Sequence, residues 1–237
     1  MSLNDRVVVI TGANGGLGKV VSHQVALACS RLVLVGTNPE KLALLKRELD
    51  LPEERLLLFA GDLTQPDAAT MLNQAVLDKF GQVDVLLHFV GGWIGGKPLA
   101  QVTKEDISTM LDQHVLSTFY FLQAIIPGML KNGWGRIIVI SSPVVGNPPA
   151  NNAPYTIGKS GEEALVLTIA EELKYSGVTA NIIRVRTIDV KHERDSSPTP
   201  KNASWTTPEE IWTTIEYLCS DEAGAVNGAK LPLYGSP

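Results

Sequence analysis

Tyr155 and Lys159 are the two residues whose types and spacing point most directly to chemistry, because they stand four positions apart. That spacing places a phenol and an ammonium on one face of a helix. A cation beside a phenol favours the phenolate and makes the tyrosine a usable acid near neutral pH. Ser142 closes the apolar run before this helix, where its hydroxyl is positioned to hold a substrate oxygen. The trio predicts proton transfer at an oxygen atom, although a tyrosine–lysine pair alone is common on solvated helix faces.

A glycine-rich turn follows the first apolar run and opens an amphipathic helical pattern. Its residues are Thr11, Gly12, Ala13, Asn14, Gly15, Gly16, Leu17 and Gly18. Glycine allows a tight turn, a close approach of a pyrophosphate to the backbone amides, and close packing of helix on strand. The free N–H groups and the positive dipole end of the helix suit a phosphate. We therefore predict a dinucleotide site rather than a purely structural turn.

The residues after the second and third apolar runs bear on which dinucleotide is bound. Dinucleotide folds usually place an acidic residue at the end of the second strand to hold the adenosine ribose, whereas this chain has Gly36, Thr37 and Asn38 there. Without a carboxylate to repel a 2′-phosphate, the sequence favours NADP over NAD. Asp62, before Leu63, is placed either to accept from the adenine amino group or to cap its own loop.

Short apolar runs alternate with segments of helical period along nearly the whole chain. The predicted strands are Val7–Thr11, Leu32–Gly36, Arg55–Ala60, Val83–Val90, Arg136–Ser141, Thr179–Val185 and Lys230–Leu233. Long helices are predicted from Asp106 to Lys131 and from Tyr155 to Tyr175. This βαβ alternation predicts an α/β fold, a doubly wound parallel sheet with helices on both faces, in one domain over residues 1–237. The polar segment 186–206 is expected to be a mobile substrate loop that closes over bound cofactor.

Composition narrows the function classes. The 237 residues are 44% hydrophobic and 19% charged, as in globular proteins, and the net charge of −5 disfavours nucleic acid and anionic membranes as partners. Prolines and asparagines interrupt the longest uncharged stretch, Ile137 to Gly158, and exclude a membrane span there. Cys29 and Cys219 are predicted to be buried free thiols in a reducing cytosol. We expect a cytoplasmic protein that acts on a small molecule, without a metal.

Together, the glycine turn, Asp62, the strand-end Ser142 and the Tyr155–Lys159 pair resemble the short-chain dehydrogenase/reductase family over essentially the full length. The resemblance implies a Rossmann-like sheet of about seven strands and a bound nicotinamide cofactor. It implies that Tyr155 exchanges the proton, Ser142 steadies the substrate oxygen, and Lys159 holds the nicotinamide ribose and tunes the tyrosine. Dimers or tetramers are usual in the family. Predicted cofactor contacts are Gly12, Asn14, Gly15, Gly16, Leu17, Gly18, Thr37, Asp62, Leu63, Val90, Gly91, Tyr155 and Lys159.

Three departures from the family pattern surround the predicted cofactor. His88, Phe89 and Val90 replace the usual Asn-Asn-Ala before Gly91. His114 takes the place of an asparagine whose carbonyl holds a water linked to the lysine, and it is interpreted either as a proton carrier or as a core residue. Val185 and Arg186 replace Pro-Gly after the sixth strand. Arg186 is placed to reach the cofactor phosphates, to bind an anionic substrate, or to pair with Asp189 or Glu193.

The leading hypothesis is an oxidoreductase that interconverts a carbonyl and a secondary alcohol with NADP or NAD. The alternative, motivated by the three departures, is a catalytically impaired dinucleotide-sensing or partner-binding module. A methyltransferase is a third candidate, but it gives no reason for the Tyr155–Lys159 spacing. Trp93 and Ile94, flanked by glycines, together with Val144 and Val145, predict a substrate pocket more apolar than charged.

Overall fold

One seven-stranded parallel sheet organises the molecule. The computed structural model describes residues 3–29 and 31–235. The strands are β1 (Val7–Thr11), β2 (Arg31–Gly36), β3 (Leu56–Ala60), β4 (Val85–His88), β5 (Gly135–Ser141), β6 (Val178–Val185) and β7 (Lys230–Leu233). Their order in the sheet is β3-β2-β1-β4-β5-β6-β7, and every neighbouring pair is parallel. The predicted doubly wound, Rossmann-like α/β fold is confirmed.

Helices cover both faces of the sheet, as parallel strands require. They are α1 (Gly16–Ala28), α2 (Pro39–Leu49), α3 (Pro66–Phe80), α4 (Lys104–Leu111), α5 (Ser117–Asn132), α6 (Ala153–Glu172), α7 (Glu193–Ser196) and α8 (Pro208–Leu218). Helices α1, α2 and α8 contribute to the hydrophobic core on one face, and α3, α5 and α6 to the core on the other. Alternate residues of one strand point to opposite cores: Val8 and Ile10 to the first, Val7 and Val9 to the second. The strands are therefore apolar throughout.

Two predicted elements need correction. Strand β4 spans Val85–His88, two residues shorter at each end than the predicted Val83–Val90, and its last ladder bond to β1 runs from the N–H of Phe89 to the carbonyl of Thr11 (3.2 Å). The helix predicted from Asp106 to Lys131 is divided by a π-helical turn over Asp112–Leu116. The hydroxyls of Ser117 and Thr118 donate to backbone carbonyls four residues earlier, at 2.6 Å each, beside this turn. Such bonds compete with regular helix geometry.

Two sequence predictions about burial can be compared with the described residues. Cys29 and Cys219 are free and buried, as predicted, and burial raises the pKa of each thiol to about 12. Within the described part of the chain, no helix is both long enough and apolar enough to cross a bilayer.

The carboxyl ends of β1 to β6 lie along one edge of the sheet, where open parallel sheets bind their ligands. The order of the strands reverses direction between β1 and β4, whose connections leave on opposite sides. The glycine turn leaves β1 at this point, and the segment Phe89–Gly91 leaves β4 beside it. The fold thus brings together the residues in which the sequence predicts chemistry.

Candidate active site

The glycine turn is held in a shape that larger residues would not adopt. Gly12 has a φ of +68°, and a Cβ added there would lie 2.6 Å from the carbonyl oxygen of Phe89. A Cβ added at Gly18 would lie 2.3 Å from the carbonyl oxygen of Gly12. Both distances are shorter than real Cβ contacts, so the absence of side chains allows α1 to approach β1 closely. The N-cap of α1 is Gly15, which leaves the first-turn amides without a side-chain acceptor.

A cleft runs along the carboxyl edge of the sheet in two adjoining sections, which share Gly12, Gly15, Phe89, Val90 and Gly91. The glycine-turn section lies over β1 to β3, with a volume of about 520 Å³. The tyrosine section lies over β4 to β6, with a volume of about 430 Å³. All the predicted cofactor contacts line one section or both. The first section is lined by Gly12, Asn14, Gly15, Thr37, Asp62, Leu63, Val90 and Gly91. The second is lined in addition by Gly16, Leu17, Gly18, Tyr155 and Lys159.

Asn14 and Asp62 are both partly engaged within the protein. The Asn14 Nδ2 donates to the carbonyl of Asn38 (3.1 Å), while its Oδ1 is buried and has no partner among the described residues. One Asp62 oxygen accepts from the amide (3.0 Å) and hydroxyl (2.8 Å) of Thr64, which is the loop-capping alternative. The side chain is exposed and lines the section. Thr37 is also exposed here, directly after β2.

The residues of the glycine-turn section fit a dinucleotide. The uncapped first turn of α1 offers amide donors to a phosphate. The Asn14 Oδ1, which has no donor among the described residues, could accept a hydrogen bond from a ligand group such as a sugar hydroxyl. No acidic side chain follows β2 to repel a 2′-phosphate, since Gly36, Thr37 and Asn38 occupy that turn.

Tyr155 and Lys159 face the tyrosine section together from the first turns of α6. Tyr155 is partly exposed, and its ring lies edge-on to His114, with ring centroids 5.6 Å apart. Lys159 is 6% exposed. The section also contains Trp93 and Arg186, so its wall combines a phenol, two cations and a flat apolar ring.

The structure gives the two serines at the end of β5 different surroundings. Ser141 lines the tyrosine section, and its hydroxyl donates to Glu163 Oε1 at 2.7 Å. Ser142, the predicted catalytic serine, is buried, and its hydroxyl accepts the amide of Val144 at 3.5 Å. Ser142 is not among the residues that line this section. Its role toward a substrate oxygen remains a prediction.

Lys159 is engaged by two partners inside the protein. Its Nζ donates to the carbonyl of Ile140 (2.7 Å) and to Glu162 Oε2 (2.6 Å). Glu162 is fully buried, and this burial raises the pKa of its carboxyl against the opposing attraction of Lys159. Its other oxygen lies 3.4 Å from the hydroxyl of Thr118. The lysine is thus half of a buried ion pair.

A second buried ion pair stands beside the first. Glu163 is 2% exposed and binds Arg184 of β6 through both carboxylate oxygens, the Nε contact being 2.8 Å. The bond from Ser141 joins the same carboxylate. The pair raises the pKa of Arg184, chiefly through this hydrogen bond. The two neighbouring glutamates of α6 therefore neutralise two different cations.

His88 is a buried, neutral core residue at the end of β4. Its Nδ1 is 2.9 Å from the hydroxyl of Thr11, and its Nε2 is 3.4 Å from that of Ser117. Burial, and to a smaller extent the charge of Lys159, lowers its pKa to about 3. Replacement of the family's asparagine thus adds no charge near neutral pH.

His114 lies in the π-helical turn and forms part of the wall of the tyrosine section. Its Nε2 is 3.0 Å from the carbonyl of Gly92, so it carries the hydrogen, and Nδ1 is buried without a partner among the described residues. Burial lowers its pKa to about 3, with a smaller contribution from Lys159. Of the two interpretations of His114, the lowered pKa favours a buried core residue over a proton carrier near neutral pH. The carbonyl of His114 accepts the hydroxyl of Thr118.

Arg186 does not form the ion pair that the sequence allowed. The Asp189 oxygens accept the amides of Glu193 and Arg194 at 2.8 Å each, and the guanidinium of Arg186 lies 5.0 Å from the ring centroid of Tyr234. Among the described residues Arg186 has no carboxylate partner. It is exposed at the tyrosine section and available to an anion.

Trp93 joins the two loops that the sequence assigned to the substrate. Its Nε1 donates to Asn152 Oδ1 at 3.0 Å, and the amide of Gly96 donates to the carbonyl of Asn151 at 2.7 Å. The ring is 62% exposed and lines the tyrosine section. The ring also packs against Gly95 of its own loop, where an added Cβ would lie 2.6 Å from Trp93 Cζ2, so it is a held, flat surface at the section.

Sequence reasoning missed the buried charges behind the tyrosine section, namely Glu162, Glu163 and Arg184, and the hydroxyl of Thr118. A signal was present for one of them. Glu162 follows Lys159 by three positions, a spacing at which helix side chains meet. The partners of Glu163 come from β5 and β6, and no local pattern predicts them.

Comparisons with known proteins agree with this architecture. A family model described as short chain dehydrogenase matches residues 6–201. A 1,6-dihydroxycyclohexa-2,4-diene-1-carboxylate dehydrogenase from Pseudomonas putida is 28% identical, over 97% of this chain and 91% of that protein. A D-beta-hydroxybutyrate dehydrogenase from Rhizobium meliloti is 27% identical, over 97% of each. A solved short-chain type dehydrogenase/reductase from Mycobacterium ulcerans superimposes with a TM-score of 0.88 and 27% identity, over 100% of this chain and 93% of that one.

Proposed function

Because this chain belongs to the short-chain dehydrogenase/reductase family, we propose that it is an NAD(P)-dependent oxidoreductase that interconverts a carbonyl and a secondary alcohol. One observation carries the proposal: Tyr155 and Lys159 line the same cleft as the glycine turn. An acid–base side chain and a dinucleotide-type turn thereby meet at one site.

The glycine-turn section would hold the adenosine of the cofactor, and the start of α1, in the adjoining tyrosine section, would hold the pyrophosphate. The amides of Gly16, Leu17 and Gly18 would bind phosphate, and Asp62 would accept from the adenine. When bound, the nicotinamide supplies or accepts the hydride. NADP is the preferred form in this proposal, supported by the exposed Thr37 where other dinucleotide folds carry an acid.

The tyrosine section would handle the proton and the substrate oxygen. Tyr155 donates its proton to the oxygen of a carbonyl substrate, or accepts one from an alcohol. Lys159 has one N–H left for the cleft after Ile140 and Glu162, and this donor supports the tyrosine and a ribose hydroxyl. Ser142 is proposed to steady the substrate oxygen by donating its O–H, which the bond accepted from the Val144 amide does not use.

The substrate is proposed to be a small molecule with a flat or apolar body. Trp93 supplies an exposed ring, and Arg186 supplies at the same section a cation that has no carboxylate partner among the described residues. A carboxylate on the substrate would find a bidentate partner in Arg186.

The segment 186–206 is proposed to open and close over the cofactor. Its residue Val190 already touches the glycine turn, since a Cβ added at Gly16 would lie 2.7 Å from its Cγ2. The two ends of the segment are joined by a β-bridge between Ile188 and Thr206. Its middle is held to α8 by an ion pair between Arg194 and Glu210 (2.8 Å).

We also propose a cytoplasmic homodimer or homotetramer. Phe119 of α5 and Ile157 of α6 are large apolar side chains that are 38% and 43% exposed, which supports a contact through these helices.

A dinucleotide-sensing module without catalysis is the second candidate. The ion pair of Lys159 with Glu162 favours it, because the lysine is not free to act on the cofactor alone. The intact Tyr155 at the cleft disfavours it.

The test is a calorimetric titration with NADPH and, separately, NADH, followed by a screen of carbonyls and alcohols with whichever binds. The proposal expects binding and turnover of at least one carbonyl–alcohol pair. Binding with no turnover across the screen would support the sensing module, and absence of binding would refute both.

A further inference from the structure

We propose that Glu162 is a positioning residue that neutralises Lys159, so that the lysine stabilises a Tyr155 phenolate less and the site favours carbonyl reduction over alcohol oxidation. The inference rests on the proposed function and adds a direction to it. Glu162 is not exposed to the cleft, so it acts through the lysine.

The geometry of Lys159 carries the argument. An ammonium has three donors, and Ile140 and Glu162 take two of them at 2.7 and 2.6 Å. Glu162 has 0% exposure, so its carboxylate interacts with the lysine in a medium that screens weakly. Lys159 therefore has one N–H left for the cleft. The positive charge of the lysine is largely offset there by the carboxylate of Glu162.

The other titratable and charged groups near Lys159 do not neutralise its charge, so Glu162 alone does so. His88 from β4 and His114 from the π-helical turn are neutral, since burial lowers both pKa values to about 3. Glu163 and Arg184 cancel each other. Arg186 is exposed to solvent, which screens its charge.

A neutral pair has a consequence for proton transfer. An isolated ammonium stabilises a nearby phenolate, whereas an ion pair does so much less. A protonated Tyr155 is the form that reduction needs. The carbonyl carbon gains the hydride of a reduced nicotinamide, which is thereby oxidised, and the carbonyl oxygen takes the Tyr155 proton. Solvent in the open cleft returns a proton to the phenolate.

The first experiment uses the full chain without cofactor or substrate. Tyrosinate absorbance is followed as pH rises in the wild type and in Glu162→Gln, and the same titration with Tyr155→Phe added identifies the contribution of Tyr155. We expect this phenolate to form at a pH lower by about one unit in Glu162→Gln, because the remaining ammonium acts without its counter-ion. An unchanged titration would overturn the proposal.

Two variants separate this effect from general damage. Glu163→Gln removes a buried carboxylate at the next position but leaves Lys159 paired, so we expect less than half of the shift. Lys159→Met with Glu162→Gln removes both charges and leaves no unpaired buried ion. We expect this double variant to fold even where Glu162→Gln does not, and its Tyr155 to titrate close to the wild type. If Tyr155 in the double variant titrates about one pH unit away from Tyr155 in the wild type, the proposal that Glu162 acts by neutralising Lys159 is contradicted.

The second experiment measures both reaction directions. In Glu162→Gln, alcohol oxidation should reach half its maximal rate at a pH lower by about one unit, and the ratio of oxidation to reduction at neutral pH should rise about tenfold. A fall in both directions with an unmoved pH profile would mean a merely structural role. If the enzyme shows no turnover at all, the proposed function fails, whereas the absorbance titration still decides the role of Glu162.

Discussion

The glycine-turn section and the tyrosine section are built in different ways. The first depends on backbone and on glycines that a single Cβ would disturb, such as Gly12 and Gly36. The second is made of side chains whose charges are set by burial and by two ion pairs. Two of the departures from the family pattern, His114 and Arg186, line the second section and not the first. A backbone site for a common ligand tolerates little change, whereas a side-chain site can be retuned.

The largest effect is expected from breaking the glycine turn, whose residues line both sections. In Gly18→Ala the new Cβ would lie 2.3 Å from a backbone oxygen, so α1 must move away from β1. We expect the affinity for the preferred dinucleotide to fall about 100-fold, as overpacking of one to three kcal/mol allows. Calorimetry on the folded variant measures it. Gly128→Ala in α5 is the control, because nothing lies within 4 Å of its added Cβ. Equal affinities for both variants would contradict the account.

A smaller effect is expected from His88→Asn, at the buried end of β4. The unfolded chain takes up a proton on this histidine below pH 6.5, whereas the folded chain does so only near its pKa of about 3. Between these values, the folded state loses stability as pH falls, by about 1.4 kcal/mol per pH unit for one such group. In His88→Asn this pH-dependent loss of stability is absent, because asparagine does not titrate.

Urea unfolding between pH 7 and 5 checks the prediction for His88. The free energy of unfolding should fall less steeply with acidification in His88→Asn than in the wild type. His114→Asn should show a similar change, because its pKa is also lowered to about 3. A slope in His88→Asn equal to that of the wild type would show that the buried histidine is not neutral.

The smallest effect concerns which dinucleotide the glycine-turn section prefers. Thr37→Asp places a carboxylate at the exposed end of β2, where it would repel a 2′-phosphate and accept from a ribose hydroxyl. We expect the ratio of NADPH to NADH affinity to fall about tenfold. Thr37→Asn is the neutral control of the same shape, and it should keep the ratio. A Thr37→Asp variant that binds NADPH like the wild type would place the 2′-phosphate elsewhere.

The two sections also differ in how far the sequence predicts them. The strand Val7–Thr11 and the turn after it form one contiguous motif, and the structure matches the predicted strand residue for residue. The predicted β4 is two residues too long at each end, because the apolar run continues beyond the residues that pair with β1 and β5. The π-helical turn over Asp112–Leu116 was likewise invisible in the apolar pattern.

The contacts of the tyrosine section depend on distant parts of the chain. Glu163 meets Arg184 from another strand, and His114 meets Gly92 from another loop. Only the three-residue spacing between Lys159 and Glu162 is local. The sequence thus predicts which residues line this section better than it predicts their charge states, because those states depend on burial and on long-range partners.

The most direct test of the central claim is hydride transfer by Tyr155→Phe with a substrate that the wild type turns over. The account predicts a fall in turnover of at least 100-fold, the order of a general acid–base contribution, with dinucleotide affinity within a factor of about two. Tyr175→Phe, at a fully exposed tyrosine, should behave like the wild type. Turnover by Tyr155→Phe at the wild-type rate would contradict the account.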